Sequence, residues 1–327
     1  MELPVFIVAT VVSLGASVMV VSRLERLCET AGVAEALLGL LVALAADGPE
    51  ITAALTAAAT GQHTVGVGVV LGSNILNLAA LLGLSAVVSG RLILPRLTVT
   101  LEGGLAIVIG LIAVTTVTAW IGPWAGLVVA LCAFLPYVAF CALRPADRAR
   151  LPLPRPLLAR LRRAIEQEEV VARPVPLGDR WDLVLAVAAA VVVIGASVVM
   201  EQAATALGTQ AGVSEIVIGA LVLAAVTSLP NAVGAIYLAT RGRGVATMSE
   251  AFHSNTFNIL IGLLLPAAIL GLGPMTHEVP VLAGAYLALT VASVILAWAG
   301  RGLGRVSGSL IIAGYLAYVC YLLATAA

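Results

Sequence analysis

Lysine is absent from this sequence: all 17 basic residues are arginine, and charged residues of both signs make up only 10% of the 327. Against that scarcity, 61% of the residues are hydrophobic and the mean hydropathy is +1.12, which excludes a water-soluble globular chain. Histidine is nearly missing as well, with three residues and no His-Glu-x-x-His zinc motif, and no nucleophile is paired with a base. That argues against an intramembrane enzyme using Asp47 or Glu50 as acid or base. The four cysteines, Cys28, Cys132, Cys141 and Cys320, show neither close pairing nor metal-ligand spacing and read as reduced thiols, with only Cys28 in a loop. A formal net charge of zero says nothing about a partner, and the arginine-rich stretch from Arg144 to Arg180 also carries acids, so no nucleic-acid patch is needed to explain it.

What is abundant is apolar sequence in stretches of about 20 residues, the length needed to cross a bilayer. Ten spans are predicted near residues 3–22, 33–60, 65–88, 97–119, 121–143, 183–207, 214–240, 246–272, 279–300 and 306–326. The first is kept as a span because Arg23 and Arg26 follow its apolar run, whereas the basic residues of a signal peptide precede it. The fold class is an all-α polytopic membrane protein with no separate soluble domain. Arginines fall in alternate loops only: Arg23 and Arg26, Arg91 and Arg96, Arg144 to Arg180, Arg241 and Arg243, Arg301 and Arg305. Cytoplasmic loops carry the positive excess, so both termini are expected outside a bacterial-type plasma membrane and the 144–181 segment in the cytoplasm. That linker also carries Asp147, Glu166, Glu168, Glu169 and Asp179. It reads as a short amphipathic helix near 157–171 on anionic membrane lipid, with calcium regulation through its acidic residues as the alternative.

The chain repeats itself. Gly32-Val33-Ala34-Glu35 matches Gly212-Val213-Ser214-Glu215 at an offset of 180, as Gly39, Leu41 and Val42 match Gly219, Leu221 and Val222. After a one-residue gap, at an offset of 181, Pro49 falls on Pro230, Gly61 on Gly242, Ser73-Asn74 on Ser254-Asn255 and Asn77 on Asn258. The expected organisation is a first five-helix half at 1–143 with its repeat core at 32–88, the linker 144–181, and a second half at 182–327 with its core at 212–270. Five is odd, so the second half enters the membrane from the opposite side and the repeats are inverted. Secondary transporters are built this way and bind substrate near the midplane, where broken helices turn backbone groups toward a cavity. Pro49 and Pro230 are the predicted breaks.

Polar groups inside spans are costly, about 2.5–3.5 kcal/mol for a central charge on insertion scales, so each is a functional candidate. They form two sets: Asp47 and Glu50 with Ser73, Asn74 and Asn77; and Thr227, Ser228 and Asn231 with Ser254, Asn255 and Asn258. Counting inward at about 1.5 Å per residue places both Ser/Asn pairs roughly 12–18 Å deep, at the bilayer centre. Carboxylates, amides, hydroxyls and freed carbonyls are oxygen ligands of the kind hard cations take. No resident cofactor is implied.

These motifs resemble the alpha-repeats of the sodium/calcium exchanger family, in the calcium/cation antiporter superfamily, which have a Thr-Ser-Leu-Pro-Glu type motif followed by Gly-Ser-Asn-x-x-Asn/Asp. Here the second copy begins Thr227-Ser228-Leu229-Pro230, and the first has Pro49-Glu50 and Gly72-Ser73-Asn74-Ile75-Leu76-Asn77. The resemblance implies alternating-access antiport, with calcium commonly exchanged for sodium or protons. It implies Glu50, Ser73, Asn77, Thr227, Ser228, Ser254 and Asn258 as ligands. Two departures stand out: the family's second central glutamate is Asn231, and its first Thr-Ser pair is Ala46-Asp47.

Asp47 either restores that charge three residues from Glu50 or caps the half-helix after the break. Asn231 is a neutral ligand or a packed amide. Glu250 either lines the ion path or sits at a helix N-terminus favoured by the dipole, and with His253 it has the i, i+3 spacing of a metal pair. His253 itself reads as hydrogen-bonded within the helix packing, Glu35 and Glu215 as interfacial or gating residues, and Glu102 as snorkelling to the interface. The leading expectation is a Na⁺/Ca²⁺ exchanger. A Na⁺/H⁺ or Ca²⁺/H⁺ exchanger is the runner-up, and a transport-inactive scaffold is the reading from another class.

Overall fold

The computed structural model describes residues 2–31, 35–143, 159, 176, 178–210, 218–273 and 278–326. The expected amphipathic helix of the linker, the acidic residues Asp147, Glu166, Glu168 and Glu169, and the matched segment Gly212 to Glu215 lie outside these residues.

The first half comprises α1 (Glu2–Ala31), α2 (Glu35–Ala46), α3 (Gly48–Ala59), α4 (His63–Asn77), α5 (Ser85–Ser89), α6 (Arg96–Val117) and α7 (Pro123–Ala142). The second comprises α8 (Arg180–Gln210), α9 (Ala224–Thr240), α10 (Gly244–Phe257), α11 (Leu265–Leu270), α12 (Glu278–Gly300) and α13 (Arg305–Ala326). π-Helical stretches at Leu78–Leu84 and Asn258–Leu264 join α4 to α5 and α10 to α11, and a third, Ile218–Leu223, leads into α9. Two three-residue strands, β1 (Arg91–Ile93) and β2 (Gly302–Gly304), pair antiparallel and are the only departure from helix among the described regular elements.

Among the described residues eight helical stretches are long and apolar enough to span a bilayer, and two bent pairs bring the number to ten when each is taken as one span. The bends fall where proline was expected to break the helix: 48° between α2 and α3, and 49° between Ala220–Thr227 and Leu229–Thr240. Gly61 and Gly242, matched in the repeat, both adopt the left-handed backbone, with φ of 80° and 82°, that turns the chain after α3 and α9.

The inversion is visible in the contacts. Along α1 and α8, Arg23 meets Asp182 at 2.8 Å, Ser13 shares a hydrogen bond with Ser197 at 3.0 Å, and Thr10 lies 3.1 Å from the Met200 sulfur. The pairing runs in opposite directions, so the first helices of the two halves are antiparallel. Helices α6 and α12 cross in the same antiparallel sense, Gly103 against Val294 and Gly110 against Leu287. Further contacts gather the described arginine-bearing connections at one end. There Arg23 and Arg26 approach Asp182, Arg241 and Arg243 pair with Glu25, Gly244 abuts Ile93, and Arg96 stacks on Trp298.

Cys28 corrects one expectation. It is buried in the last turn of α1, because that helix continues well past the length a bilayer requires.

The halves approach most closely at glycines. A Cβ on Gly72 of α4 would lie 2.8 Å from the Ala220 Cα, and one on Gly39 of α2 would lie 2.6 Å from the Ser249 Cβ of α10. Gly72→Val is expected to cost about 1–3 kcal/mol through overpacking, read as a lower melting temperature in detergent. Gly104→Val, which meets nothing within 4 Å, should stay within about 0.5 kcal/mol of the parent.

Candidate functional site

The two bends and the two Ser/Asn helices meet at the centre of the bundle. Asp47 occupies the break itself, Glu50 the first turn of α3, and within α9 Ser228 stands at the bend with Asn231 just after it. Helix α4 brings Ser73, Asn74 and Asn77; α10 brings Ser254 and Asn255, and Asn258 follows at the start of its π-helical stretch. None of these side chains is more than 1% exposed. π-Helical stretches beginning at Leu78 and Asn258 come directly after or at the repeat-matched asparagines Asn77 and Asn258, a placement common at functional sites.

One network joins them. The Asp47 Oδ1 accepts from Ser254 Oγ at 2.6 Å and from Asn231 Nδ2 at 2.8 Å. Glu50 accepts from Ser228 Oγ at one oxygen and from Asn258 Nδ2, at 2.5 Å, at the other. Asn77 Nδ2 donates to Ser254 Oγ at 3.0 Å. Asn74 and Asn255 each donate to the other's backbone carbonyl, at 3.1 and 3.0 Å, and so mark the pseudo-two-fold axis.

That axis relates the polar positions of the two bends to one another. At the offset of 181, Glu50 corresponds to Asn231 and Asp47 to Ser228. The contacts Ser228–Glu50 and Asp47–Asn231 are therefore the same contact in the two halves, with the carboxylate on opposite partners. A carboxylate at position 231 instead of 47 would stand on the other side of a single hydrogen bond, and either placement gives the cluster two carboxylates.

Several oxygens in this enclosure have no hydrogen-bond partner: Asp47 Oδ2, Ser73 Oγ, Asn77 Oδ1, Asn231 Oδ1 and Asn258 Oδ1. Leaving such groups unmet costs about 1–3 kcal/mol each. No cationic side chain enters the network. Two carboxylates with surplus neutral oxygens and no basic group form a donor set suited to a hard cation.

The other sequence-predicted residues fall differently. Thr227 is buried, but its hydroxyl donates back to the Leu223 carbonyl at 2.9 Å and does not join the network. The capping reading of Asp47 is overturned: it stands at the N-cap position of α3 without a side-chain cap bond, because its carboxylate turns to the opposite half. Glu250 is not at a helix start, since α10 begins at Gly244 and carries it wholly buried. His253 packs between the rings of Phe134 and Tyr137, at centroid distances of 5.7 and 5.3 Å, and neither ring nitrogen makes a hydrogen bond of normal geometry. Among the described residues no group of three His, Cys, Asp or Glu is placed to hold a metal, so Glu250 and His253 do not form part of one. Glu102 does not snorkel; it is buried and accepts from Ser249 at 2.7 Å and Tyr137 at 2.8 Å. Glu35 is buried at the start of α2, 3.9 Å from Arg243, and Glu215 lies outside the described residues.

Sequence reasoning missed Ser17, whose hydroxyl donates to the Pro230 carbonyl at 2.6 Å beside the second bend. The signal was present: Ser13 and Ser17, one turn apart in an apolar span, are both buried.

The profile of the family described as sodium/calcium exchanger protein matches residues 1–144 and 181–324. The putative antiporter CaxA of Alkalimonas amylolytica is 26% identical over 85% of this chain and 84% of its own length. Sodium/potassium/calcium exchanger 3 of Homo sapiens is 32% identical over 94 residues, so the chain covers only 15% of that longer protein. Among solved structures, the sodium-calcium exchanger NCX_Mj superposes with a TM-score of 0.72 at 19% identity, over 98% of both chains.

The reciprocal amides should act as a clasp between the halves. Asn74→Ala and Asn255→Ala are each expected to cost about 1–3 kcal/mol. The double variant should lose less than their sum, with a coupling of about 0.5–3 kcal/mol, because the first loss already loosens the crossing. Thermal unfolding of the four proteins completes the cycle.

Proposed function

This chain belongs to the sodium/calcium exchanger family, and on that premise we propose that it is a secondary antiporter exchanging Ca²⁺ for Na⁺ by alternating access. The observation that carries this reading is the enclosure of two carboxylates and unpartnered amide and hydroxyl oxygens between two bent helices of opposite direction. Glu50 and Asp47 are the charged ligands, together neutralising a divalent ion. Asn77, Asn231, Ser73 and Asn258 contribute neutral oxygens; Ser228 and Ser254 orient the carboxylates and are close enough to join the coordination. Thr227, Asn74 and Asn255 belong to the walls. Ca²⁺ takes six to eight oxygens in flexible geometry, which suits a set spread over four helical segments. The bends leave backbone carbonyls free to add to it, as discontinuous helices do in transporters.

The arginine-bearing end is the cytoplasmic one by the positive-inside rule, which puts both termini outside and the linker 144–181 in the cytoplasm, dividing two domains at 1–143 and 182–327. The transported cations are the ligands of this site, and membrane lipid is its surrounding.

Purified protein in liposomes should take up Ca²⁺ when an outward Na⁺ gradient is imposed. Glu50→Gln removes a charged acceptor worth about 1.5–3 kcal/mol, so uptake at subsaturating Ca²⁺ should fall roughly ten- to a hundredfold. Uptake driven by a proton gradient at fixed Na⁺ would identify H⁺ as the coupling ion instead. Absence of saturable cation binding in folded protein would sink the antiporter reading in favour of a scaffold.

The symmetry of the two contacts gives a sharper expectation. Asp47→Asn should weaken Ca²⁺ uptake on the same scale as Glu50→Gln. Asp47→Ser combined with Asn231→Glu, which carries the carboxylate to the other side of the same contact, should recover most of it; uptake no better than in Asp47→Ser would show that the two positions are not equivalent.

A further inference from the structure

Glu250 is a buried acid beside the central network that takes no part in it. Glu250 precedes Ser254 by one turn of α10, and its carboxylate lies against Gly234 of α9: a Cβ there would meet Glu250 Oε1 at 2.9 Å and Val21 Cγ2 at 3.0 Å. Gly234 follows Asn231 by three residues. Both steps, Asn231 to Gly234 and Ser254 to Glu250, lead toward the connection carrying Arg241 and Arg243. Glu250 therefore stands one turn from the central cluster, on the arginine-bearing side. It is fully buried, and neither carboxylate oxygen has a hydrogen-bond partner.

Between it and that end lies an apolar plug of Val21, Leu38, Val42, Leu238 and Ala246. Beyond the plug, Arg243 binds Glu25 at 3.0 Å and also Glu29, and Arg241 reaches Glu25 from the same connection.

The repeat supplies the comparison. At the offset of 181, Glu250 corresponds to Val69 and Gly234 to Ala53. Val69 and Ala53 are buried together with Leu223 in an apolar cluster, at the equivalent place on the opposite side of the centre. The small residue and the acid occur together in one half, and alanine and valine together in the other. A carboxylate enclosed by apolar groups needs a cation beside it to keep its charge, and an apolar pair has no such need.

We propose that Glu250 is a cation waystation on one access route only, the first carboxylate inward of the apolar plug for a cation entering from the arginine-bearing end and the last before the plug for one leaving toward it. The route through Ala53 and Val69 has no counterpart. This inference rests on the antiporter reading above, and it adds an asymmetry: a fold with nearly symmetric ligands captures cations differently from its two sides. Local charge of this kind raises capture rates by about 10–10³-fold.

The test uses Glu250→Gln in the full chain, with equilibrium Ca²⁺ binding in detergent and Na⁺-driven Ca²⁺ uptake in vesicles of both orientations. Binding should stay within about twofold of the parent, reporting an intact fold and central site. Uptake kcat/KM for Ca²⁺ should fall about tenfold when Ca²⁺ is offered to the arginine-bearing end and stay unchanged at the other, with Glu250→Asp retaining most of the rate. Equal loss from both ends, or none from either, overturns the waystation. Loss of binding would assign Glu250 to the central site or to folding and overturn it as well. A parent protein that binds and moves no Ca²⁺ from either side removes the antiporter reading, and the inference with it.

Discussion

The hydrocarbon core of a bilayer has no hydrogen-bond partner to offer, and the rest of this structure follows from that. A carboxylate, an asparagine or a broken turn at mid-depth has to find its partner in protein or in a bound ion. Here the partners come from the opposite half. Asp47 and Glu50 from the first bend are met by Asn231, Ser228, Ser254 and Asn258 from the second, and Ser17 on α1 covers the Pro230 carbonyl. Inversion makes this reciprocity possible, since two copies running in opposite directions bring identical depths of α4 and α10 face to face. The Asn74–Asn255 exchange is the plainest result.

Within that frame, the two central acids belong to one contact used twice. Along the sequence, Asp47 and Asn231 are two positions of different repeats; across the axis, Asp47–Asn231 and Ser228–Glu50 are the same contact with the acid on opposite partners. The cluster therefore holds two carboxylates with surplus neutral oxygens, a donor set of the kind hard cations take, in a medium where an unbalanced charge is expensive.

The architecture was legible from the sequence because the bilayer imposes simple rules: spans follow from apolar length, inversion from an odd number of spans per repeat, and the shared end from the arginines. The list of candidate residues was legible for a related reason, since a polar side chain in a span announces itself, although Thr227 bonds only to its own helix. Its wiring was not. Spacing in the sequence places Asp47 near Glu50, but the bonds that orient its carboxylate run to residues 184 and 207 positions away. Glu250 was placed too close to a helix start because Gly242 turns the chain so tightly that α10 begins at Gly244. Glu102 looked like a residue near an interface until Tyr137 and Ser249, from two other helices, closed over it. Hydropathy along one span carries no record of what its neighbours donate.

The pseudo-symmetry ends where the two faces of the protein begin to differ. At the arginine-bearing end, Arg243 is 4% exposed and ties the α9–α10 connection to Glu25 and Glu29 of α1, with Glu35 of α2 nearby. Its counterpart in the first repeat is Gln62, in a connection, Thr60 to Gln62, that has no charge at all. Among the described residues, the α9–α10 connection is held by buried ion pairs, whose attraction must first offset the loss of hydration, whereas the α3–α4 connection has a glycine turn without them. Breaking the first would return ions to water, while parting the apolar helices beside the second would expose hydrocarbon to it. The same turn used twice, in opposite directions, is thus held by different forces.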